Sequence, residues 1–170
     1  MSFEASGYEP KSSLDGIYQS KSGINHTFLF FYEKKFFNED YVNTKREWME
    51  KNWYMSIVYA AIYIIAIFSG QSYMKSREKY DLRRCLIAWN LVLAIFSIIG
   101  TIRTWPEFLN TLTQKGVEYS VCDRDYTHGV SGCWAWLFIL SKVPELVDTF
   151  FIVVRKQPLI FLHWYHHATV

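Results

Sequence analysis

Cysteine, proline, glycine and charge are all scarce in this chain, and each shortage removes a class of protein. Three cysteines in 170 residues are too few to staple a disulfide scaffold. Eight glycines and four prolines exclude collagen-like and low-complexity sequence. Charged residues make up only 20%, and 18 basic against 16 acidic side chains leave a formal charge of +2. That near-neutral charge argues against nucleic acid as a partner, for which a concentrated basic face would be expected. The first residues carry no charged segment followed by an apolar run, so they do not read as a cleavable signal peptide. What the chain has instead is apolar surface: 51% hydrophobic and 19% aromatic residues. Its length suits one domain with a sizeable core. Its mean hydropathy lies near zero only because apolar and polar residues are segregated along the sequence.

Residues 1–31 read as a mobile polar tail, rich in Ser, Gly and Lys and without apolar periodicity. Residues 32–53 read as an interfacial segment with a short amphipathic helix. Thr44-Lys-Arg-Glu47 is a capping-box pattern that would start this helix, and Trp48 and Trp53 suit a membrane interface. A soluble amphipathic helix packed on its own domain is the alternative. No charge occurs between Lys51 and Lys75 or between Arg84 and Arg103. As helices, Tyr54–Tyr73 would extend about 30 Å and Cys85–Ile102 about 27 Å, close to a hydrocarbon thickness. A third span is expected over 132–154, interrupted by Lys142, Pro144, Glu145 and Asp148, with a kink at Pro144. A fourth starts at Leu159 and runs to Val170. The fold expected is all-α, a polytopic membrane helix bundle with about three spans and the start of a fourth. Residues 54–170 then read as the N-terminal part of a longer membrane domain.

Lys75, Arg77, Lys79, Arg83 and Arg84 crowd the first connection, and Arg155 and Lys156 follow the third span. The stretch from Arg103 to Cys133, read as a loop, balances Arg103, Lys115 and Arg124 with Glu107, Glu118, Asp123 and Asp125. The positive-inside rule then places the first and third connections in the cytosol and the N-terminus in the lumen. Asn25-His26-Thr27 is an N-glycosylation sequon, and this orientation makes Asn25 a candidate acceptor.

Charges at membrane depth are costly and mark a functional interior. Lys142, Glu145 and Asp148, spaced i, i+3, i+6, fall within an arc of about 120° on one helix face. A structural ion pair between helices is the plain alternative to a polar site lining a cavity. His163, His166 and His167 form an H-x-x-H-H box that spans about 100° of a helix. Three imidazoles on one apolar face each need a partner, which leaves metal ligation or acid–base and nucleophilic chemistry. If the two helices are antiparallel neighbours across a turn at 155–158, acids and histidines meet at matching depth.

Lys142-Val-Pro-Glu-Leu-Val-Asp-Thr149 followed by Leu162-His-Trp-Tyr-His-His167 resembles the signature of the very-long-chain fatty acid elongases, membrane 3-ketoacyl-CoA synthases of the endoplasmic reticulum. The stretch 32–53 is also similar to that family's N-terminal region. Trp164 and Tyr165 within the box resemble the branch acting on saturated and monounsaturated palmitate-length chains. The resemblance implies seven spans in all, with further motifs downstream of the box. The implied reaction is decarboxylative condensation of malonyl-CoA with a long-chain acyl-CoA. In it, His166 would serve as nucleophile or base, oriented by His163 and His167. Glu145 and Asp148 would hold imidazole tautomers, and Lys142 would fix the acids or meet an anionic substrate group. No cofactor and no metal are implied. The implied partners are acyl-CoA, malonyl-CoA, membrane lipid, a second copy of the chain, and the ketoacyl-CoA reductase, dehydratase and enoyl reductase of the elongation cycle. Cys122 is implied to pair with a lumenal cysteine outside these residues.

Two other functions compete. A membrane di-iron desaturase or hydroxylase also uses H-x-x-H-H, but needs several such boxes, and only His26 and His128 lie elsewhere. A truncated elongase fragment without activity is the second. A cysteine ketosynthase of the soluble type is disfavoured, because Cys85 and Cys133 fall at helix ends without a nucleophile elbow.

Overall fold

The computed structural model describes residues 17–122 and 125–169. Among these the fold is all-α apart from a two-stranded hairpin. The strands are β1 (Tyr18–Gln19) and β2 (Asn25–His26), and the helices are α1 (Glu39–Lys51), α2 (Tyr54–Met74), α3 (Arg83–Cys122), α4 (Gly129–Val154) and α5 (Phe161–Thr169). Short 3-10 turns occupy Glu33–Phe37 and Asp125–Thr127. The chain divides into two compact units, residues 1–46 with 100–135 and residues 47–99 with 136–170.

In the first unit, β1 and β2 pair antiparallel, Tyr18 opposite His26 and Gln19 opposite Asn25. Part of the stretch read from sequence as a mobile tail is therefore ordered; residues 1–16 lie outside the described residues. Its anchors are distant in sequence and invisible to local pattern. His26 Nε2 lies 2.8 Å from Glu107 Oε1, and Asn110 Nδ2 donates to the Ser22 carbonyl at 2.6 Å. Glu107 Oε2 also accepts from the Ser131 amide at 3.1 Å, an anion against the first turn of α4, where orphan amides favour negative charge. Glu33 is fully buried and accepts four hydrogen bonds. Arg103 Nε donates at 2.9 Å and Nη2 at 2.6 Å, Trp134 Nε1 at 2.8 Å and the Phe30 amide at 2.8 Å. Burial pushes the phenol of the adjacent Tyr32 above its ordinary value, and the Glu33 charge adds to the rise.

Two sequence expectations are corrected here. The helix predicted to start at Thr44 starts at Glu39, where Asn38 Oδ1 accepts from the Tyr41 amide at 3.0 Å, the geometry of an N-cap. Thr44 instead donates its hydroxyl to the Asp40 carbonyl inside the helix. Residues 103–122, read as loop, continue α3. Arg103 and Glu107 stand one turn apart, and both find buried partners, so neither needs a solvated loop. Gly116, at φ 85° and ψ 174°, breaks the helical path in a conformation that a side chain would oppose.

Among the described residues, two helices are long and apolar enough to cross a membrane, α2 in the second unit and α3, whose 83–99 part lies there too. They expose Ile57, Ile62, Ile65, Ile87, Leu91 and Ile95, an apolar exterior suited to lipid. α5 packs along α2, and the 136–154 part of α4 approaches α2 where a Cβ on Gly70 would come to 3.3 Å from Val153. α4 runs through Pro144 to Val154. It closes with the Gln157 amide on the Ile152 carbonyl and the Lys156 amide on the Val153 carbonyl, each at 3.0 Å, and with Lys156 at φ 53°. That is a Schellman turn in which lysine takes the left-handed place usually held by glycine.

Candidate active site

All of the site lies in the second unit, built from α2, the Lys142–Thr149 turns of α4, and α5. Lys142 Nζ donates to Glu145 Oε2 at 3.0 Å along the helix. The other oxygen of Glu145 accepts from Ser141 Oγ at 3.0 Å, and the ammonium stands 4.3 Å from the centre of the Phe138 ring. The pair is half-buried, and each charge has its partner on its own helix, which offsets the cost of placing it at membrane depth.

Asp148 and Thr149 form the next turn. The indole of Trp89 approaches the Asp148 carboxyl without hydrogen-bond alignment, leaving Trp89 Nε1 and Asp148 Oδ1 both buried and unpaired. Thr149, only 1% exposed, joins the three helices. Its Oγ1 lies 2.9 Å from the Tyr63 hydroxyl on α2 and 3.0 Å from His163 Nε2 on α5.

The three box histidines line α5. Ring centres are 4.6 Å apart for His163 and His167 and 5.7 Å for His166 and His167. His167 meets the Tyr63 ring edge-on at 6.3 Å. His163 and His167 are half-buried and His166 is exposed. Asp148 lies within electrostatic reach of His163 and His167, but no hydrogen bond joins them. The expected α4–α5 pairing takes a different form, since α5 rests on α2 and meets α4 through Thr149. Lys142 and Glu145 hydrogen-bond within α4 and not to the histidines. Asn25, exposed on β2, belongs to the first unit.

Sequence reasoning missed Tyr63, Thr149 and Trp89 as site residues. Thr149 stood within the recognised string without a role, and Trp89 and Tyr63 carry no local mark. Chemically, the constellation offers imidazole nitrogens for attack or proton transfer, an unpaired carboxylate oxygen, and a paired cation. Among the described residues no three His, Cys, Asp or Glu side chains are grouped to hold a metal ion.

Residues 48–170 match the model of the ELO family, described as GNS1/SUR4. The chain is 49% identical over 148 residues to "Very long chain fatty acid elongase 6" of Drosophila melanogaster, covering 86% of this chain and 46% of the relative. The same-named mouse protein is 47% identical over 148 residues, covering 86% and 55%. "Very long chain fatty acid elongase 3" of Mus musculus is 46% identical over 126 residues, covering 74% and 46%. The chain thus spans about half the length of these curated relatives. No solved structure matches it.

Proposed function

This chain belongs to the ELO (GNS1/SUR4) family, and from that premise we propose that it carries the histidine-box part of a membrane 3-ketoacyl-CoA synthase. The observation that carries the reading is the Thr149 junction, which ties the histidine box to the α4 turns that carry Asp148, with its unpaired Oδ1, and the Lys142–Glu145 pair. The names of the relatives support fatty acid elongation.

In the proposed reaction malonyl-CoA loses carbon dioxide, and the electron pair of the broken C–C bond becomes an enolate. The enolate carbon bonds to the acyl carbonyl carbon, the C–S bond breaks, and coenzyme A leaves as the thiol after taking a proton. His166, whose exposed ring is open to a thioester, acts as nucleophile or base. Asp148 supplies negative charge that favours a correctly oriented or protonated imidazole. Lys142 holds Glu145 or meets an anionic group of the substrate. Decarboxylation drives the step, so neither cofactor nor metal is needed. Trp164 packs edge-on against Phe68 and Phe161, an apolar wall in keeping with long saturated or monounsaturated chains. The 3-ketoacyl-CoA would pass to a ketoacyl-CoA reductase, a dehydratase and an enoyl reductase. The basic connections at 75–84 and 155–156 support an endoplasmic reticulum orientation with the N-terminus lumenal and the box toward the cytosol.

The test is malonyl-CoA condensation in microsomes from cells expressing the protein. His166→Ala should lose at least about two orders of magnitude in rate, the lower end for a positioned acid–base group, with expression near the parent's. Undiminished condensation would refute the mechanism, and collapse of expression in every histidine variant would point to a structural role for the box.

A further inference from the structure

We infer that Thr149, accepting from Tyr63 and donating to Nε2, fixes His163 as the Nδ1–H tautomer, which makes His163 a hydrogen-bond donor of the box and neither its base nor its nucleophile. The inference rests on the catalytic reading above and assigns roles within it.

Two hydroxyls and one ring nitrogen stand in a row. Tyr63 Oη is 2.9 Å from Thr149 Oγ1, and Thr149 Oγ1 is 3.0 Å from His163 Nε2. Tyr63 is 6% and Thr149 1% exposed, so bulk water cannot complete the row. In a neutral imidazole one nitrogen donates and the other accepts, so Nε2 either donates to Thr149 or accepts from it. If Nε2–H donates, either Thr149 donates to Tyr63 and the phenol proton must find a third acceptor, or Tyr63 also donates to Thr149 and the threonine proton must find one. Among the described residues neither hydroxyl is hydrogen-bonded to such an acceptor. In the opposite sense Tyr63 donates to Thr149, Thr149 donates to Nε2, and every hydroxyl proton is used. A buried donor left without an acceptor is more costly than a satisfied one, so the second sense prevails. The lone pair of Nε2 is then engaged, and the proton of the neutral ring sits on Nδ1.

His163 consequently has no nitrogen free to attack a thioester or take a proton. That work falls to His166 and His167. Tyr63 touches no reacting atom in this scheme. It is a positioning residue: its donated proton turns the Thr149 hydroxyl toward the His163 ring.

The test is 15N NMR of 15N-histidine-labelled protein in lipid nanodiscs, at a pH about two units above the ordinary imidazole value near 6.5. The His163 signal is assigned by its loss in His163→Asn. It should show a protonated Nδ1 and a bare Nε2 in the parent and in Thr149→Ser. Thr149→Val should give a mixture of tautomers, because the hydroxyl that donates to Nε2 is gone, whereas Tyr63→Phe should keep the Nδ1–H form, because Thr149 is then left with Nε2 as its acceptor. A parent spectrum with the proton on Nε2, or a Thr149→Val spectrum identical to the parent's, would overturn the inference. In turnover, Thr149→Val should lower kcat about tenfold, the lower end for a group that orients a site imidazole, with KM within about twofold. Thr149→Ser should keep most of kcat. A loss confined to KM would also count against the assignment. The spectrum needs no activity: a fully active His166→Ala protein would sink the catalytic reading while leaving the tautomer measurement standing.

Discussion

Replacing Arg103 with methionine keeps most of the side-chain volume but removes the cation that answers Glu33. The carboxylate is fully buried, and Arg103 supplies two of its four hydrogen bonds, at 2.9 and 2.6 Å. Trp134 and the Phe30 amide remain, but they are neutral donors and cannot balance a charge in a low-dielectric site. Breaking one partner of a buried pair costs about 3–5 kcal/mol, or about two to four orders of magnitude in the folding equilibrium. Pairing Arg103→Met with Glu33→Gln removes the stranded charge, so the double variant should recover at least about half of that loss. Unfolding in mixed micelles, followed by tryptophan fluorescence, reads both numbers, since Trp134 sits on the affected carboxylate. A loss below about 1 kcal/mol for Arg103→Met is what an exposed pair would give, and it would refute the reasoning. A double variant as unstable as the sum of the single ones would do the same.

Two further outcomes are expected. Asp148→Asn preserves shape but removes the charge beside His163 and His167, and condensation should fall by about tenfold or more; an unchanged rate measured with radiolabelled malonyl-CoA would exclude Asp148 from the chemistry. Asn25 stands exposed on β2, and the proposed orientation predicts a glycosidase-sensitive mobility shift that disappears in Asn25→Gln. An unglycosylated N-terminus open to protease in sealed microsomes would invert the topology.

Where charge alone decides, the sequence was legible. The charge-free stretch from Asn52 to Met74 locates α2 to within two residues of its observed limits, because a helix at membrane depth has to exclude ions. The second span was misjudged at its far end. Arg103 and Glu107 look like the start of a loop, but their partners, Glu33 and His26, lie 70 and 81 residues away. Tertiary pairing let the helix continue past the charges. At α1, the capping box at Thr44 competed with Asn38-Glu39-Asp40, which has the cap and the acidic first turn together. At the site, the spacing of Lys142, Glu145 and Asp148 and of the three histidines was readable because it is helical periodicity. Tyr63 was not. It is one of four tyrosines in α2, and only packing against Thr149 and His167 distinguishes it.

The turn between α4 and α5 acts as a phase lock. Its composition is forgiving: Lys156 and Gln157 are exposed, and the closing hydrogen bonds use backbone groups alone. The first turn of α5 is not. One residue added inside the helix ahead of His163 would turn the box by about 100° and advance it by about 1.5 Å, sweeping His163 off Thr149 and presenting a neighbouring side chain in its place. Drift in the letters of the turn leaves the junction in register, while a single insertion or deletion between Phe161 and His163 uncouples the imidazoles from the carboxylate helix.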